Sequence, residues 1–359
     1  MRGCDVAIVG LGVMGSAALH ALARQGVDVL GFDPLAVGAA RGSSHGSCRI
    51  FRRFNFESPA YTALSDQAHA AWRALEAESG ARVLIPCPVL EAGPPGSAMV
   101  AASRAAAESA GGYAGPSRGS EIASRFPAFA LPPDWDVVVQ DGGAILLAEE
   151  AVRLFRAAAP DRIIGQAVRF APGPTGIVLT TASGDQYQAK TLILAAGPWI
   201  VNLLPKLRAH VTITRQAVGW FQPAEPRTAG PGDFPIFILE APLGLVYGFP
   251  DFEGRGVKAA LHDHGPRVGP DDWGPPPSDA ELAPVSETLE SFVPGAFGRI
   301  VDRDVCLYAN TGPGDADGSA TEEFIIDRLP DDPRIIVASP CSGPASSSPA
   351  PSGRCWRAW

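Results

Sequence analysis

Residues 5–33 read DVAIVGLGVMGSAALHALARQGVDVLGFD. An apolar run, Val6 to Val9, enters Gly10-Leu11-Gly12-Val13-Met14-Gly15. An alanine-rich amphipathic stretch follows, and a second apolar run, Val27 to Phe32, ends at Asp33. The pattern predicts strand, tight turn, helix and strand. Gly10 permits the turn, Gly12 lets a pyrophosphate approach the backbone, and Gly15 lets the helix lie close to the strand, with its N-terminus toward the phosphates. Asp33 stands where a carboxylate would bind a ribose hydroxyl. A bare G-x-G-x-x-G is weak evidence, but a strand before it, a helix after it and an acid at this distance make a dinucleotide site the expectation.

Moving outward, residues 41–52 read RGSSHGSCRIFR and carry Arg41, Arg49, Arg52 and His45, with Ser43 and Ser44 between them. After the second strand of a nicotinamide dehydrogenase the chain usually continues into another helix and strand. Here it turns polar and cationic instead. A basic loop beside a bound cofactor suits an anionic flavin and a carboxylate substrate, because a planar guanidinium can hold a carboxylate through two parallel bonds.

The 359 residues are 46% hydrophobic, enough for two lobes sharing a large core. A formal charge of −9 argues against nucleic acid as a partner. Cys4, Cys48, Cys87, Cys306, Cys341 and Cys355 show no C-x-x-C pairing, so neither a zinc site nor a disulfide framework is expected, and a reducing cytoplasm fits best. The apolar N-terminus has its glycines at nucleotide-binding positions and reads as a first strand, not a signal peptide. No apolar stretch is long enough to span a bilayer.

Along the chain, residues 58–80 have helical spacing at Tyr61, Leu64, Ala68, Trp72 and Leu75. Residues 83–91 read as a strand interrupted by Pro86 and Pro88. A helix is expected near 97–110, a short strand from Val137 to Gln140, and a turn and helix over 142–159. A hairpin turning at Ser183-Gly184-Asp185 leads to the apolar strand Leu192 to Ala195, which ends in Gly197-Pro198-Trp199. From 208 to 304, alternating strands and proline-rich loops predict an antiparallel sheet, with a loop and helix at 270–292. The fold class expected is α/β with two lobes: a Rossmann-like cofactor-binding domain over 1–80, 140–207 and 305–359, and an antiparallel-sheet substrate domain over 81–139 and 208–304.

The chain resembles the monomeric sarcosine oxidase and N-methyltryptophan oxidase group of FAD-dependent amine oxidases, within the wider D-amino-acid oxidase superfamily. The motifs that carry the likeness are GLGVMG with Asp33, GSSHGSCRIFR, AAGPW, YGFPDFEGRGVKAALH, VCLYANT, and EEFIIDRLP followed by IIVASPCSG. The resemblance implies FAD, held by Gly10, Gly12, Met14, Gly15, Asp33, Ser43, Ser44, His45, Arg49, Gly197, Trp199 and Gly343 and attached covalently through Cys306. Taken alone, a cysteine in an apolar strand is usually an inert core residue. It further implies that Arg49 and Lys258 lie against the flavin, with Lys258 activating oxygen, that Arg52 reaches the substrate carboxylate, and that Tyr247 and His262 line the substrate pocket. The activity implied is oxidation of a secondary amine to an imine with oxygen reduced to hydrogen peroxide, by a monomer acting on a small amine.

After IIVASPCSG, relatives continue with a segment like HGFKF and a long apolar helix, whose lysine helps bind the substrate carboxylate. This chain reads PASSSPAPSGRCWRAW over 344–359. With suitable synonymous codons, one base added in the codon of Pro344 makes that string read HGFKFARAVGPLLAGL. A frameshifted, catalytically impaired relative is therefore the alternative to a working oxidase. An oxidase of a cyclic imino acid of the pipecolate type or of a biosynthetic intermediate, and a nicotinamide-dependent dehydrogenase, are further alternatives.

Overall fold

A computed structural model describes residues 1–57, 60–111, 113, 115–262, 265–311 and 324–339. Gly343 and the tail at 344–359 lie outside the described residues.

The opening segment forms the strand Arg2–Val9, the helix Val13–Arg24 and the strand Val29–Phe32. The two strands pair in parallel, Val6 opposite Val29 and Val9 opposite Phe32. Gln186–Leu194 flanks Arg2–Val9 on the other side, Asp332–Ser339 pairs beyond it, and Ile163–Ile164 lies beside Val29–Phe32, all in parallel. An antiparallel edge strand, Ile325–Leu329, and the hairpin of Val168–Gly173 with Gly176–Thr181 complete an eight-stranded sheet. Both faces of its centre are buried: Ala7, Leu30, Leu192 and Leu194 pack on one side, and Ile8, Leu11, Leu19 and Val29 on the other. Strands covered on both faces read as continuous apolar runs, which is why this half of the fold is visible in the sequence.

A second sheet has seven strands in the order Ile300–Thr311, Val211–Phe221, Val257–Leu261, Gly244–Phe249, Ile236–Ala241, Val89–Gly93 and Asp136–Gln140. The aromatic side chains of Phe126, Phe129, Phe234 and Phe237, with the helix Asp279–Phe292, cover one of its faces. That helix begins with a capping box: Ser278 accepts from the Glu281 amide while the Glu281 carboxylate accepts from the Ser278 amide. A third, three-stranded antiparallel sheet joins Cys48–Phe51, Ala144–Leu147 and Leu84–Pro86.

The structure departs from expectation at four points. The substrate sheet is mixed, not purely antiparallel, because Val89–Gly93 and Ile236–Ala241 run parallel. The segment at 83–91 contributes strands to two different sheets, Leu84–Pro86 and Val89–Gly93, with the chain turning between Pro86 and Pro88. Ala144–Leu147 is a strand, and only from Ala148 does the helix begin. Finally, Ile300–Thr311 pairs with Val211–Phe221 from Ile300 to Thr311, so the boundary expected at residue 305 falls inside a continuous strand of the second sheet. Among the described residues, no helix is long and apolar enough to cross a membrane.

Candidate functional site

The dinucleotide turn is built from backbone contacts that only glycine allows. Gly10 has φ +91°, and a Cβ there would stand 2.5 Å from the Ala195 carbonyl oxygen. A Cβ on Gly15 would stand 1.8 Å from the Gly10 carbonyl oxygen, so the helix sits directly on the turn. Gly12, extended at φ −64° and ψ −167°, precedes the helix Val13–Arg24, whose first turn has no acidic residue. A helix N-terminus presented in this way favours an anion.

Asp33 closes the turn from the second strand. Its carboxylate accepts from the Leu11 amide at 2.7 Å and the Leu35 amide at 2.8 Å. Arg156, from the helix Ala148–Ala157, donates to Asp33 Oδ2 at 3.0 Å and to the carbonyls of Leu11 and Leu35. Burial disfavours the charge on Arg156 and pulls its pKa down against the carboxylate beside it. Nothing in the sequence singled out Arg156.

The basic loop folds over this turn. The Val13 amide donates to Ser44 Oγ at 3.0 Å, and Ser43 Oγ donates to the Leu307 carbonyl at 2.8 Å, linking the loop to the helix Val13–Arg24 and to the second sheet. His45 is buried, with Nδ1 2.5 Å from the Gly42 carbonyl and Nε2 3.5 Å from Asp304 Oδ2. Burial alone would push the Asp304 carboxyl up, but the hydrogen bonds from His45 and the Val305 amide hold it below the ordinary range. Arg49 is fixed by backbone carbonyls, its Nη2 2.6 Å from Ser43 O and 2.7 Å from His45 O.

Both large sheets contribute to one cleft of about 610 Å3, within the range typical of small-molecule and cofactor sites. Its wall includes Gly10, Gly12, Met14, Asp33, Ser43, Ser44, His45, Arg49, Arg52, Gly197, Trp199, Tyr247, Lys258, His262 and Cys306. Gly15 lies behind the wall, inside the helix. Trp199 donates its indole N–H to Asp271 Oδ1 at 2.9 Å. The glycine cradle and the helix terminus that opens into this cleft fit a bound dinucleotide.

Lys258 stands at one end of the cleft, 7% exposed. Its ammonium lies 5.3 Å from the Phe249 ring centroid and 5.5 Å from that of Trp220, and its one hydrogen-bond partner among the described residues is the Cys48 sulfur, at 3.7 Å. Beside it, Tyr308 Oη is 3.4 Å from Tyr247 Oη, and His262 packs against both rings at 5.6 and 6.5 Å. Burial, followed by the charge of Cys306, pushes the Tyr247 hydroxyl up to about 12, and burial raises Tyr308 well above its ordinary value. Burial also raises the Cys306 thiol, which Arg49 and Lys258 pull the other way. His262 follows directly on the strand Val257–Leu261, and its amide donates to the Leu245 carbonyl at 2.7 Å.

Arg52 differs most from a free anion receptor. Its guanidinium donates to Glu57 and, at 3.3 Å, to Glu91, and it covers the Phe56 ring at 4.1 Å. Glu91 is fully buried, and burial raises its pKa despite the nearby Arg52. Neither acid was distinguishable in the sequence from an ordinary strand or loop residue. Tyr308 and Cys48 were missed as well, although both stand inside motifs that drew attention for neighbouring residues.

The FAD dependent oxidoreductase family pattern matches residues 5–355. Monomeric sarcosine oxidase of Bacillus sp. (strain B-0618) is 33% identical, over 94% of this chain and 87% of that protein. N-methyl-L-tryptophan oxidase of Yersinia pestis (strain Pestoides F) is 29% identical over 94% of this chain and 90% of its own length. Among solved structures, NikD, an amino acid oxidase essential for nikkomycin biosynthesis, superposes with TM-score 0.82 at 20% identity, covering 99% of this chain and 93% of that one. Glycine oxidase from Geobacillus kaustophilus gives TM-score 0.75 at 17% identity, over 99% and 94%. These two structural likenesses speak to the fold.

Proposed function

The chain belongs to the FAD dependent oxidoreductase family, and from that premise we propose that it is an oxidase of secondary amines of the sarcosine or N-methyl amino acid type, with oxygen as acceptor and hydrogen peroxide as product. The observation that carries the reading is one cleft whose wall holds both the dinucleotide cradle of Gly10, Gly12 and Asp33 and a buried Lys258 with Tyr247, Tyr308 and His262.

The cradle would hold the pyrophosphate at the helix terminus, and Asp33 the ribose. FAD, when bound, supplies the two-electron redox chemistry. The protein's own residues do the rest. Arg49, held by three carbonyls of its own loop, would set a positive charge against the cofactor, and Cys306, in the cleft wall, would be the covalent tether. Lys258 provides a fixed charge where negative charge develops on oxygen, and such a preorganised group acts most strongly when water is excluded. Tyr247 and Tyr308 stay protonated throughout the neutral range and can donate hydrogen bonds to a substrate. Arg52 receives a substrate carboxylate once a glutamate yields its place.

Residues 1–80, 140–207 and 325–339 would form the cofactor half and residues 81–139 and 208–311 the substrate half of this reading, with a monomer as the working unit. The test is peroxide production in air from sarcosine, N-methyltryptophan and pipecolate by the flavin-loaded protein, followed by acid precipitation. Peroxide with a yellow pellet is expected. A colourless pellet rejects the Cys306 link, and a protein that oxidises none of these amines rejects the substrate class.

A further inference from the structure

The strand Val89–Gly93 reads VLEAG, is buried at every position, and lies inside the second sheet between Ile236–Ala241 and Asp136–Gln140. Its side chains alternate between the two faces. Leu90 and Ala92 pack with Phe126, Phe129 and Phe237, while Val89 packs with Cys48 and Ile145 on the other face. Glu91 shares that other face, and its carboxylate, 0% exposed, accepts from Arg52 Nη1 at 3.3 Å. An acid is costly to bury in such a strand, and an apolar side chain of similar volume would ordinarily leave the fold as stable or more so. Stability alone therefore gives no reason for Glu91 to be there.

The groups around Arg52 differ in their freedom to move. Nη1 donates to Glu91, Nη2 donates to Glu57, the Phe56 ring covers one face of the guanidinium at 4.1 Å, and Nε has no partner among the described residues. Glu57 and Phe56 stand with Arg52 in the cleft wall, outside any helix or strand; Glu91 lies behind that wall and is fixed by strand pairing on both sides. Glu57 can therefore yield to a ligand without disturbing the sheet, and Glu91 cannot. The guanidinium edge shared by Nε and Nη2 is then the one that can grip a carboxylate through two parallel bonds. We propose that Glu91 is the positioning residue for carboxylate recognition: it holds the Nη1 end of Arg52 so that the Nε–Nη2 edge passes from Glu57 to the carboxylate of the substrate. The two acids thus act in opposite senses, Glu57 as the competitor that the ligand displaces and Glu91 as the clamp that keeps the fork aimed. The identity of the substrate rests on the amine oxidase reading above; the clamp itself does not.

The experiment titrates flavin-loaded protein with phenylacetate and with its neutral counterpart phenylacetamide, and reads Kd from the change in flavin absorbance. Glu91→Val should raise Kd for phenylacetate about tenfold, the equivalent of one charge-assisted bond made poorly, and leave Kd for phenylacetamide close to the parent's. Glu91→Gln, whose amide oxygen can still accept from Nη1, should restore phenylacetate binding, and Glu57→Ala should lower Kd for phenylacetate several-fold. If Glu91 were only a nearby negative charge, its removal would tighten the carboxylate instead. Tighter or unchanged phenylacetate binding in Glu91→Val, an equal loss for both ligands, or a parent protein whose flavin does not respond to phenylacetate would overturn the proposal. A second arm measures KM in air for an N-methyl amino acid and for an N-methylamine without a carboxylate. The same pattern there supports the whole scheme; the binding pattern without oxidation of any secondary amine upholds the clamp and counts against the oxidase reading.

Discussion

Arg156 Nη2 donates to Asp33 Oδ2 at 3.0 Å, across 123 residues of sequence, and the same guanidinium holds the carbonyls of Leu11 and Leu35. The acid that ends the second strand is therefore oriented by a helix of the distant segment Ala148–Ala157. Replacing Arg156 with Met should leave a largely buried carboxylate without its counter-charge, at a cost on the order of 3 kcal/mol. Equilibrium unfolding of the flavin-free protein and FAD retention on gel filtration both report it. Unchanged stability with full retention would show that the two amides suffice to position Asp33.

Gly15→Ala places a Cβ 1.8 Å from the Gly10 carbonyl oxygen, a contact that only a shift of helix or turn can relieve. We expect a loss of about 1–3 kcal/mol together with loss of flavin. Gly142→Ala, which meets nothing within 4 Å, should stay within about 0.5 kcal/mol of the parent. Thermal melts and the visible spectra of the two variants make the comparison.

How far the sequence could be read depended on whether the signal was local. The strand, turn and helix around Gly10, Gly12 and Gly15 were legible because three glycines, two apolar runs and Asp33 all lie within the 28 residues from Val6 to Asp33. The strands of the second sheet were legible from their alternation. The parallel pairing of Val89–Gly93 with Ile236–Ala241 was not, since no short-range pattern encodes contact between segments so far apart. Ala144–Leu147 was hidden because a short apolar run leading straight into a helix looks the same as the helix's first turn. Arg156, Glu57 and Glu91 were hidden for a different reason: a charged side chain shows in sequence what it is, and its buried partner shows only in three dimensions.

Arg52 carries two acids, Glu57 and the fully buried Glu91, and two parallel bonds from a planar fork are what a carboxylate substrate would need. Arg52→Lys keeps the charge and loses the fork. KM for N-methyl amino acids should rise about 10- to 100-fold, the equivalent of one charge-assisted bond, with kcat changed much less. An N-methylamine without a carboxylate should be indifferent to the change. Equal losses for both substrate classes would show that Arg52 acts on the fold and not on the carboxylate.

Tyr247 gives the fold a pH dependence at the alkaline end. Its hydroxyl, held up to about 12 by burial and by the charge of Cys306, keeps its proton in the folded state after the unfolded chain has lost it. The unfolded state therefore binds fewer protons above about pH 10, and stability falls as pH rises from there toward about 12. Tyr247→Phe removes that contribution. Unfolding midpoints between pH 9 and the alkaline limit should fall less steeply for the variant, by about one proton's worth of slope; parallel curves would show that Tyr247 is not desolvated in solution.

The most direct test of an FAD-dependent amine oxidase in this cleft is the visible spectrum of the purified, flavin-loaded chain mixed anaerobically with an N-methyl amino acid. The account predicts that the absorbance bleaches without oxygen and returns when air is admitted, with one hydrogen peroxide released for each amine consumed. A spectrum that no secondary amine alters, or that only a reduced nicotinamide bleaches, would contradict it.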